Sequence, residues 1–446
     1  MQRTTFQYFF FFCLLILIIS GCKSSYLEEQ MADNKSPCEK SAAEGISYYR
    51  PVVVVHGFLA SGDTYALQYQ RFSENCYGEN YVFAFDWNST GFGANQSAAL
   101  DAFINDVLEE TGADKVDLAG HSAGGGVCYT YLSNAAYASK VAHYVHIASS
   151  AQAGPAGPDG SIPTLNIWSN GDETVGGSDI LGAENFMIPE KDHYQVATCE
   201  ESFMRMYLFF NEEARPHYTG IMPASPMMVS GKTLTLGENS PINNALVEVY
   251  EVDPATGFRL NDDTPDFTFY TSVQGLWGPF EAVPGMYYEF FVDPQNGTRL
   301  VHYYREPFTR SNNLVYLRVF PSPATLPGIL LASVPSDDVQ TAMVVFASSQ
   351  AMINGRDSLL INNTYVTTPE ITPASKTAIA LFAYDDGDGQ SSYTPLGDFS
   401  FQFLTDVDIF IPTDMPISIA VTLNGRSLHL RNWPSATGGA TIAVFD

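Results

Sequence analysis

The sequence predicts an α/β fold with a mostly parallel central sheet, followed by an all-β sandwich or barrel. Three observations predict it. From Pro51 to about Asn211, short apolar runs alternate with stretches of helical period, the pattern of a sheet covered on both faces. After a proline-bearing stretch at 212–226 the helical patterns stop, and short strand-like runs separated by turn clusters remain. Between the two patterns in importance stands a single turn: the run Lys115-Val116-Asp117-Leu118-Ala119 ends at Gly120-His121-Ser122-Ala123-Gly124 and then enters a glycine-rich helix start.

At 446 residues the chain is too long for one core. We divide it into an N-terminal address at 1–22, a polar tether at 23–44, an α/β domain at 45–211, a linker at 212–226 and a β-rich region at 227–446. The last divides further at about 325/326. In the α/β part, Pro51–Val55, Tyr81–Phe85, Lys115–Ala119, Val141–Ala148, Thr164–Trp168 and Asn185–Ile188 read as strands. Leu100, Phe103, Ile104, Val107 and Leu108 share one helical face, and Phe203, Met206, Tyr207 and Phe210 share another. Thr198 and Glu201 have the spacing of a capping box for that last helix. In the β-rich part, 246–252, 287–292, 313–319, 341–346, 377–384, 399–403 and 417–422 suit strands. Pro294-Gln295-Asn296-Gly297 is the clearest turn between them.

The formal net charge is −28, which excludes nucleic acid as a partner because nothing offsets phosphate repulsion. Arg3 precedes an apolar run from Tyr8 to Ile19, too short for a membrane-spanning helix and suited to a signal-peptide core. The run closes on Ile19-Ser20-Gly21-Cys22. Six cysteines are present. Cys13 falls in the address segment. Cys38, Cys76, Cys128 and Cys199 could pair in three ways in an export compartment. Cys38 with Cys76 is the attractive pairing because both precede core strands, whereas Cys128 suits a small buried apolar position. No cysteine or histidine spacing suggests zinc.

A serine hydroxyl is a weak nucleophile and needs a base, which in turn needs an acid to hold its tautomer. A strand that stops at a small-x-Ser-x-small turn and feeds a helix presents its hydroxyl outside the sheet. Ser122 is therefore the candidate nucleophile. Asp172, in the loop Ser169-Asn170-Gly171-Asp172 after a strand, is the candidate acid; Glu173 is its nearest rival and Asp179 a weaker one. His193, between the last core strand and the last helix, is the candidate base. His143 and His146 compete but sit within an apolar strand, upstream of Asp172. His56 and His121 belong to the turn motifs and suit loop positioning. Asp192 is badly placed to orient its neighbour His193. Backbone N–H groups of Phe58, after His56-Gly57, and of Ala123, after Ser122, are the candidate oxyanion donors.

On VVVVHGFLASG, AFDWNSTG, ETGADKVDLAGHSAGG and DHYQVATCEESF, the segment Pro51–Phe210 resembles the α/β-hydrolase lipases. The run through the serine turn is similar to the small lidless Bacillus lipases. The resemblance extends to two-domain archaeal lipases of the Archaeoglobus type, through 287–290, 302–308 and 416–421. It implies a serine ester hydrolase with nucleophile Ser122, base His193 and amide donors Phe58 and Ala123. The archaeal pattern would set the acid near Ala148, which cannot serve; the Bacillus pattern sets it at Asp172. Only about Asp86 to Gln96 separates the second strand from the next helix, where the archaeal lipases carry a long insertion. The resemblance thus implies no helical lid, an open site and weak interfacial activation.

The segment ending at Cys22 resembles a bacterial lipobox, implying acylation of Cys22 and anchoring at the bacterial envelope; plain secretion is the alternative. The β-rich half, through Val229-Ser230-Gly231-Lys232, 275–280 and 284–287, resembles a transthyretin or carboxypeptidase-regulatory sandwich. A lipid- or polymer-docking role and a bland stabilising role suit it equally. Asp385-Asp386-Gly387-Asp388-Gly389 concentrates carboxylates; it is a candidate structural Ca²⁺ site without the twelve-residue EF-hand spacing, and a solvated turn is the simpler reading. No metal or organic cofactor is expected for the chemistry. The expected substrates are acylglycerols or other acyl esters, acted on by a monomer. The alternatives are a short-chain esterase or polyester hydrolase, and a non-catalytic surface binding lipoprotein on the same scaffold.

Overall fold

The computed structural model describes residues 49–78, 81–91, 95–261, 264–399 and 401–446. The signal segment, Cys22, the tether and Cys38 lie outside the described residues. Cys76 is disulfide-bonded; Cys128 and Cys199 are free.

The first half runs β1 (Val52–Val55), α1 (Ala66–Glu74), β2 (Val82–Phe85), α2 (Gln96–Thr111), β3 (Val116–His121), α3 (Ala123–Leu132), α4 (Ala135–Ala138), β4 (Val141–Ile147), β5 (Thr164–Ser169), β6 (Glu184–Ile188), α5 (Gln195–Thr198) and α6 (Glu200–Phe210). The six strands form one sheet in the order β2-β1-β3-β4-β5-β6. Every pairing in it is parallel. The near-continuous apolar strands follow from burial on both faces. Val52 and Val54 face Tyr69 and Phe72 of α1 and Phe203, Met206 and Phe210 of α6. Val53 and Val55 face Leu100 and Ile104 of α2 and Cys128, Tyr131 and Leu132 of α3.

The second half is all-β apart from α7 (Leu326–Leu330) and a short 3₁₀ turn: β7 (Met227–Thr235), β8 (Leu246–Val252), β9 (Phe267–Tyr270), β10 (Leu276–Ala282), β11 (Tyr287–Asp293), β12 (Val301–Arg305), β13 (Asn312–Val319), β14 (Ala342–Ala347), β15 (Leu359–Ile361), β16 (Thr364–Tyr365), β17 (Ala380–Tyr384), β18 (Leu404–Asp408), β19 (Ser418–Leu423), β20 (Arg426–Arg431) and β21 (Ala440–Phe445). A central sheet of eight strands, β18-β17-β14-β21-β12-β11-β8-β9, joins strands from both sides of residue 325. Side-chain alternation gives it two buried faces. Val344, Phe382 and Ile442 pack toward the three-stranded sheet β10-β7-β13. Met343, Val345 and Leu381 pack toward the four-stranded sheet β16-β15-β19-β20.

Two local expectations are corrected. The described residues Phe399 and 401–403 are not in a strand; β18 starts at Leu404. The Phe399 N–H donates to the Asp406 carboxylate at 2.8 Å, and Phe403 has φ of 75°, outside the strand region. Thr198 and Glu201 do not form a capping box. Cys199, in extended backbone, caps α6 without a side-chain bond, and the Thr198 hydroxyl donates to the Ser349 carbonyl instead.

The two halves share buried apolar surface. Leu234 of β7 and Leu314 and Tyr316 of β13 belong to the same cluster as α1 and α6. Polar contacts frame it: the Lys232 ammonium lies 2.6 Å from Asp86, the Tyr316 hydroxyl donates to Asp86 at 2.9 Å, and Arg318 pairs with Asp63.

Candidate active site

Ser122 sits between β3 and α3 with φ of 54° and ψ of −125°, a conformation that non-glycine residues rarely adopt and that exposes the side chain above the sheet. Its neighbours must be small. A Cβ on Gly124 would lie 2.4 Å from the His56 carbonyl oxygen, and one on Gly120 would lie 2.8 Å from the Cys128 sulfur. The Ser122 N–H donates to the Ile147 carbonyl at 2.9 Å, and its own carbonyl accepts from the Ser149 hydroxyl at 2.7 Å. The turn is thereby fastened on both sides of its strained residue, to the end of β4 and to Ser149 just beyond it.

The structure brings Ser122, His193 and Asp172 together. The His193 Nε2 lies 2.9 Å from the Ser122 Oγ, and its Nδ1 lies 2.8 Å from the Asp172 Oδ2. His193 and Asp172 are buried. The other Asp172 oxygen accepts from the N–H groups of Thr174 at 2.8 Å and Val175 at 3.1 Å. Burial alone would raise the Asp172 carboxyl. The hydrogen bond and charge of His193 and the two backbone donors outweigh it and leave the carboxyl below its ordinary value. The rivals stand elsewhere. Glu173 is exposed, Asp179 accepts from the Trp168 indole at 3.0 Å, and Ala148 lies at the end of β4 with no polar side chain. Asp192 is not the acid partner of the His193 ring, whose Nδ1 meets Asp172; its Oδ1 accepts from the N–H groups of Tyr194 at 2.8 Å and Gln195 at 2.9 Å.

The remaining histidines serve the loops. The His121 ring packs at a tilt against His193, 4.7 Å between centroids, and its Nε2 lies 3.0 Å from the His193 carbonyl oxygen. Since that oxygen only accepts, Nε2 carries the proton. Burial, aided by the neighbouring His193, pulls His121 down to about 3, so the ring is neutral at pH 7. His56 is also lowered, chiefly by burial. The Trp87 N–H donates to its Nε2 at 3.1 Å, so the His56 proton resides on Nδ1 and is donated to the Gly57 carbonyl at 2.8 Å. In a planar trans peptide the Phe58 N–H points to the opposite edge from that carbonyl. Gly57 is pressed against the serine: a Cβ there would lie 3.0 Å from the Ser122 Cβ and 3.5 Å from its Oγ. Ala123 opens α3, and its N–H is among the helix donors without an intrahelical acceptor. His143 and His146 lie within β4. His143 Nδ1 is 2.8 Å from Asp117, and burial pulls His146 down to about 4.

Several residues of the β-rich half reach this site, and sequence reasoning missed them all. The Phe403 ring stacks on His193 at 5.8 Å. The Thr377 hydroxyl lies 3.0 Å from that of Thr174, in the loop after Asp172. Arg356 lies 2.7 Å from the Asp192 Oδ2. The Asn239 amide donates to the Ala60 carbonyl at 2.8 Å and to the His56 Nε2 at 3.1 Å. No local pattern marks these positions, because their partners are about 150 to 200 residues away. Between the halves runs an apolar cleft that starts at Leu59, Ala60 and Tyr194 and is walled by Leu331, Phe346 and Phe403.

In the β-rich half, the carboxylates of Asp385, Asp386 and Asp388 approach within 4.8 Å of one another. Asp385 is buried and accepts from the N–H groups of Gly387 at 2.8 Å and Gly389 at 3.1 Å. Among the described residues, no helix is long and apolar enough to cross a membrane.

Comparison with known proteins follows this division. Residues 50–157 match the alpha/beta hydrolase fold family model. Residues 225–321 match the lipase C-terminal domain, and 332–446 match a further C-terminal domain model. Solved structures with partial likeness include a predicted CIB-like hydrolase from Thermoplasma acidophilum (19% identity, TM-score 0.28, covering 37% of this chain and 87% of the other). They also include Bacillus licheniformis lipase BlEst2 (12%, TM-score 0.29, 37% and 91%) and carboxylesterase CesB from Bacillus subtilis (13%, TM-score 0.29, 38% and 86%). The family-model matches support the grouping expected from the sequence: α/β-hydrolase lipases that carry a C-terminal domain.

Proposed function

We propose that the protein is a serine ester hydrolase of the lipase or carboxylesterase type. The observation that carries this reading is the chain of two hydrogen-bond contacts from Ser122 through His193 to Asp172. In it, the Ser122 Oγ attacks the acyl carbonyl carbon while the His193 Nε2 takes the hydroxyl proton. The same nitrogen then returns the proton to the leaving alcohol oxygen, leaving the acyl group on Ser122. Water attacks that ester by the reverse sequence and releases the carboxylic acid. Asp172 holds the His193 Nδ1–H and stabilises the imidazolium that forms. The N–H groups of Phe58 and Ala123 receive the negative oxygen, and donors of this kind contribute about 3 kcal/mol each.

The acyl chain is assigned to the apolar cleft lined by Leu59, Tyr194 and Phe403, residues that adjoin the Phe58 donor and the base His193 in sequence or by ring contact. This reading has no helical lid between β2 and α2, which the shortness of the stretch from Phe85 to Gln96 supports. The site is therefore taken to be open to substrate without displacement of such a lid. The lipase C-terminal domain match favours lipid esters over small soluble ones.

The deciding experiment is hydrolysis of p-nitrophenyl esters from acetate to stearate, with Ser122→Ala as control. The wild type turns over, with a preference for medium or long chains, and the variant loses about 10⁴-fold or more in kcat/KM. Equal hydrolysis by the two proteins refutes the reading. Specific activity on an emulsion close to that on dissolved ester is expected for an open site; a sharp rise at the interface refutes the lidless assignment alone.

A further inference from the structure

The side chains assigned to the chemistry all come from the first half, yet the loops that carry them are held by the second. The base loop shows this most fully. Asp192, immediately before His193, is 3% exposed. Its Oδ1 accepts from the two N–H groups just beyond His193, so the carboxylate and the His193 backbone move as one piece. Its Oδ2 faces the β-rich half, where it accepts from the Arg356 Nη1 at 2.7 Å and the Ala351 N–H at 3.2 Å. Arg356 is itself directed: its Nε donates to Asp357 at 2.8 Å and its Nη2 to the Ala351 carbonyl at 2.5 Å. Its Nη1 also reaches the Gln195 side chain at 3.1 Å. A guanidinium engaged in this way fixes direction as well as charge, which a flexible ammonium does not.

The loop on the opposite side of the serine has a matching anchor. Asn239 is buried and its amide reaches His56 Nε2, the Ala60 carbonyl and the Trp87 carbonyl at 3.1, 2.8 and 3.1 Å. These contacts, with the Trp87 N–H, leave His56 Nε2 an acceptor and keep the proton on Nδ1, where it orients the Gly57–Phe58 peptide. Asn239 has φ of 55°, a left-handed conformation that asparagine tolerates.

We infer that Arg356 and Asn239 are positioning residues, the first for the base His193 through Asp192 and the second for the Phe58 donor through His56. The β-rich half is thereby part of the working site rather than an appended module. This rests on the ester-hydrolase reading above. A displacement of even about 1 Å of a reacting group is costly to the rate, up to about 100-fold. Neither residue lines the apolar cleft, so substrate binding should be spared.

The test is steady-state kinetics of the full chain on a soluble p-nitrophenyl ester. The variants are Arg356→Met, Arg356→Lys, Asn239→Gly, Ser122→Ala, and Arg426→Gln, the last removing a pair with Glu306 outside these loops. Asn239→Gly deletes the amide while tolerating the positive φ. Melting temperatures are measured alongside. Arg356→Met and Asn239→Gly should each lower kcat about tenfold or more with KM within about twofold. Arg356→Lys should recover part of the loss, and Arg426→Gln should match the wild type. Wild-type kcat in Arg356→Met and Asn239→Gly, with Ser122→Ala inactive, overturns this inference and leaves the hydrolase reading standing. A loss that appears only in KM, or that Arg426→Gln shares at equal melting temperature, also overturns it. Full activity in Ser122→Ala overturns the hydrolase reading itself.

Discussion

Among the described residues, two carboxylate–histidine pairs are buried at both partners and have nearly equal geometry; a third, His143 with Asp117, is part-exposed at its histidine. In the first half, His193 Nδ1 lies 2.8 Å from Asp172. In the second, His302 Nδ1 lies 2.6 Å from Glu289. The difference lies at the other ring nitrogen. His193 Nε2 meets a hydroxyl, a group that can give up a proton. His302 Nε2 meets the Gly438 carbonyl oxygen at 2.8 Å, which can only accept. The His302 ring also lies flat against Trp433, with centroids 4.1 Å apart. Glu289 is shared further, with Arg259 through two contacts at 2.9 and 2.6 Å and with the Tyr304 hydroxyl at 3.1 Å. One pair faces a serine hydroxyl at its second nitrogen; the other is closed on every side and ties the central sheet to the segment that follows β20. A buried carboxylate–histidine contact therefore signals structure or chemistry according to what the second nitrogen faces.

Substitution of each carboxylate sharpens this contrast. Asp172→Asn should produce the largest effect: kcat/KM falls about 10⁴-fold, because the amide favours the wrong tautomer of His193, while the melting temperature changes little. Full activity in that variant would break the assignment of the first pair. Glu289→Gln should do the reverse. It strands Arg259 without its counter-charge and deprives His302 of its carboxylate partner, destabilising by about 3 kcal/mol and lowering the melting temperature by roughly 5 °C, with kcat unchanged below the transition.

The same pair has a pH signature. Burial alone would raise the Glu289 carboxyl, but His302 and Arg259 hold it down to about 2, from an ordinary 4.5. A lowered acid stabilises the fold fully above its unfolded value and loses that contribution as pH falls through the folded one. Between pH 4.5 and pH 2 the wild type should therefore lose stability more steeply than Glu289→Gln, read by thermal melting at stepped pH; parallel curves would break this account. His121, held at about 3, adds an acid loss of the same direction between pH 6.5 and pH 3 in both proteins. The smallest effect belongs to the rival acid. Glu173 is exposed, so Glu173→Ala should leave kcat/KM within about twofold and stability within about 0.5 kcal/mol. A large loss there would reopen the choice between the two neighbouring carboxylates.

The order of strands and helices and the serine turn could be read in the chain because they rest on short-range chemistry. Apolar period, turn residues and the need for small side chains around Ser122 act within a few residues. Asp172 and His193 could be placed because each follows a strand of a parallel sheet, and such strands end on one side of it. What no local pattern contained was the joining of the two halves. At and just before the strand expected at 399–403, Leu396, Gly397 and Phe399 turn their N–H groups onto Asp406, and Phe403 lies on the face of His193. The partners of Asp192 and His56 come from residues far along the chain. Contacts at that distance depend on how two cores pack, and packing is decided only when the apolar surfaces of both halves are buried together. The amino-acid sequence by itself determined which groups have reactive chemistry; the tertiary structure decided which of them face an open oxygen and what holds them there.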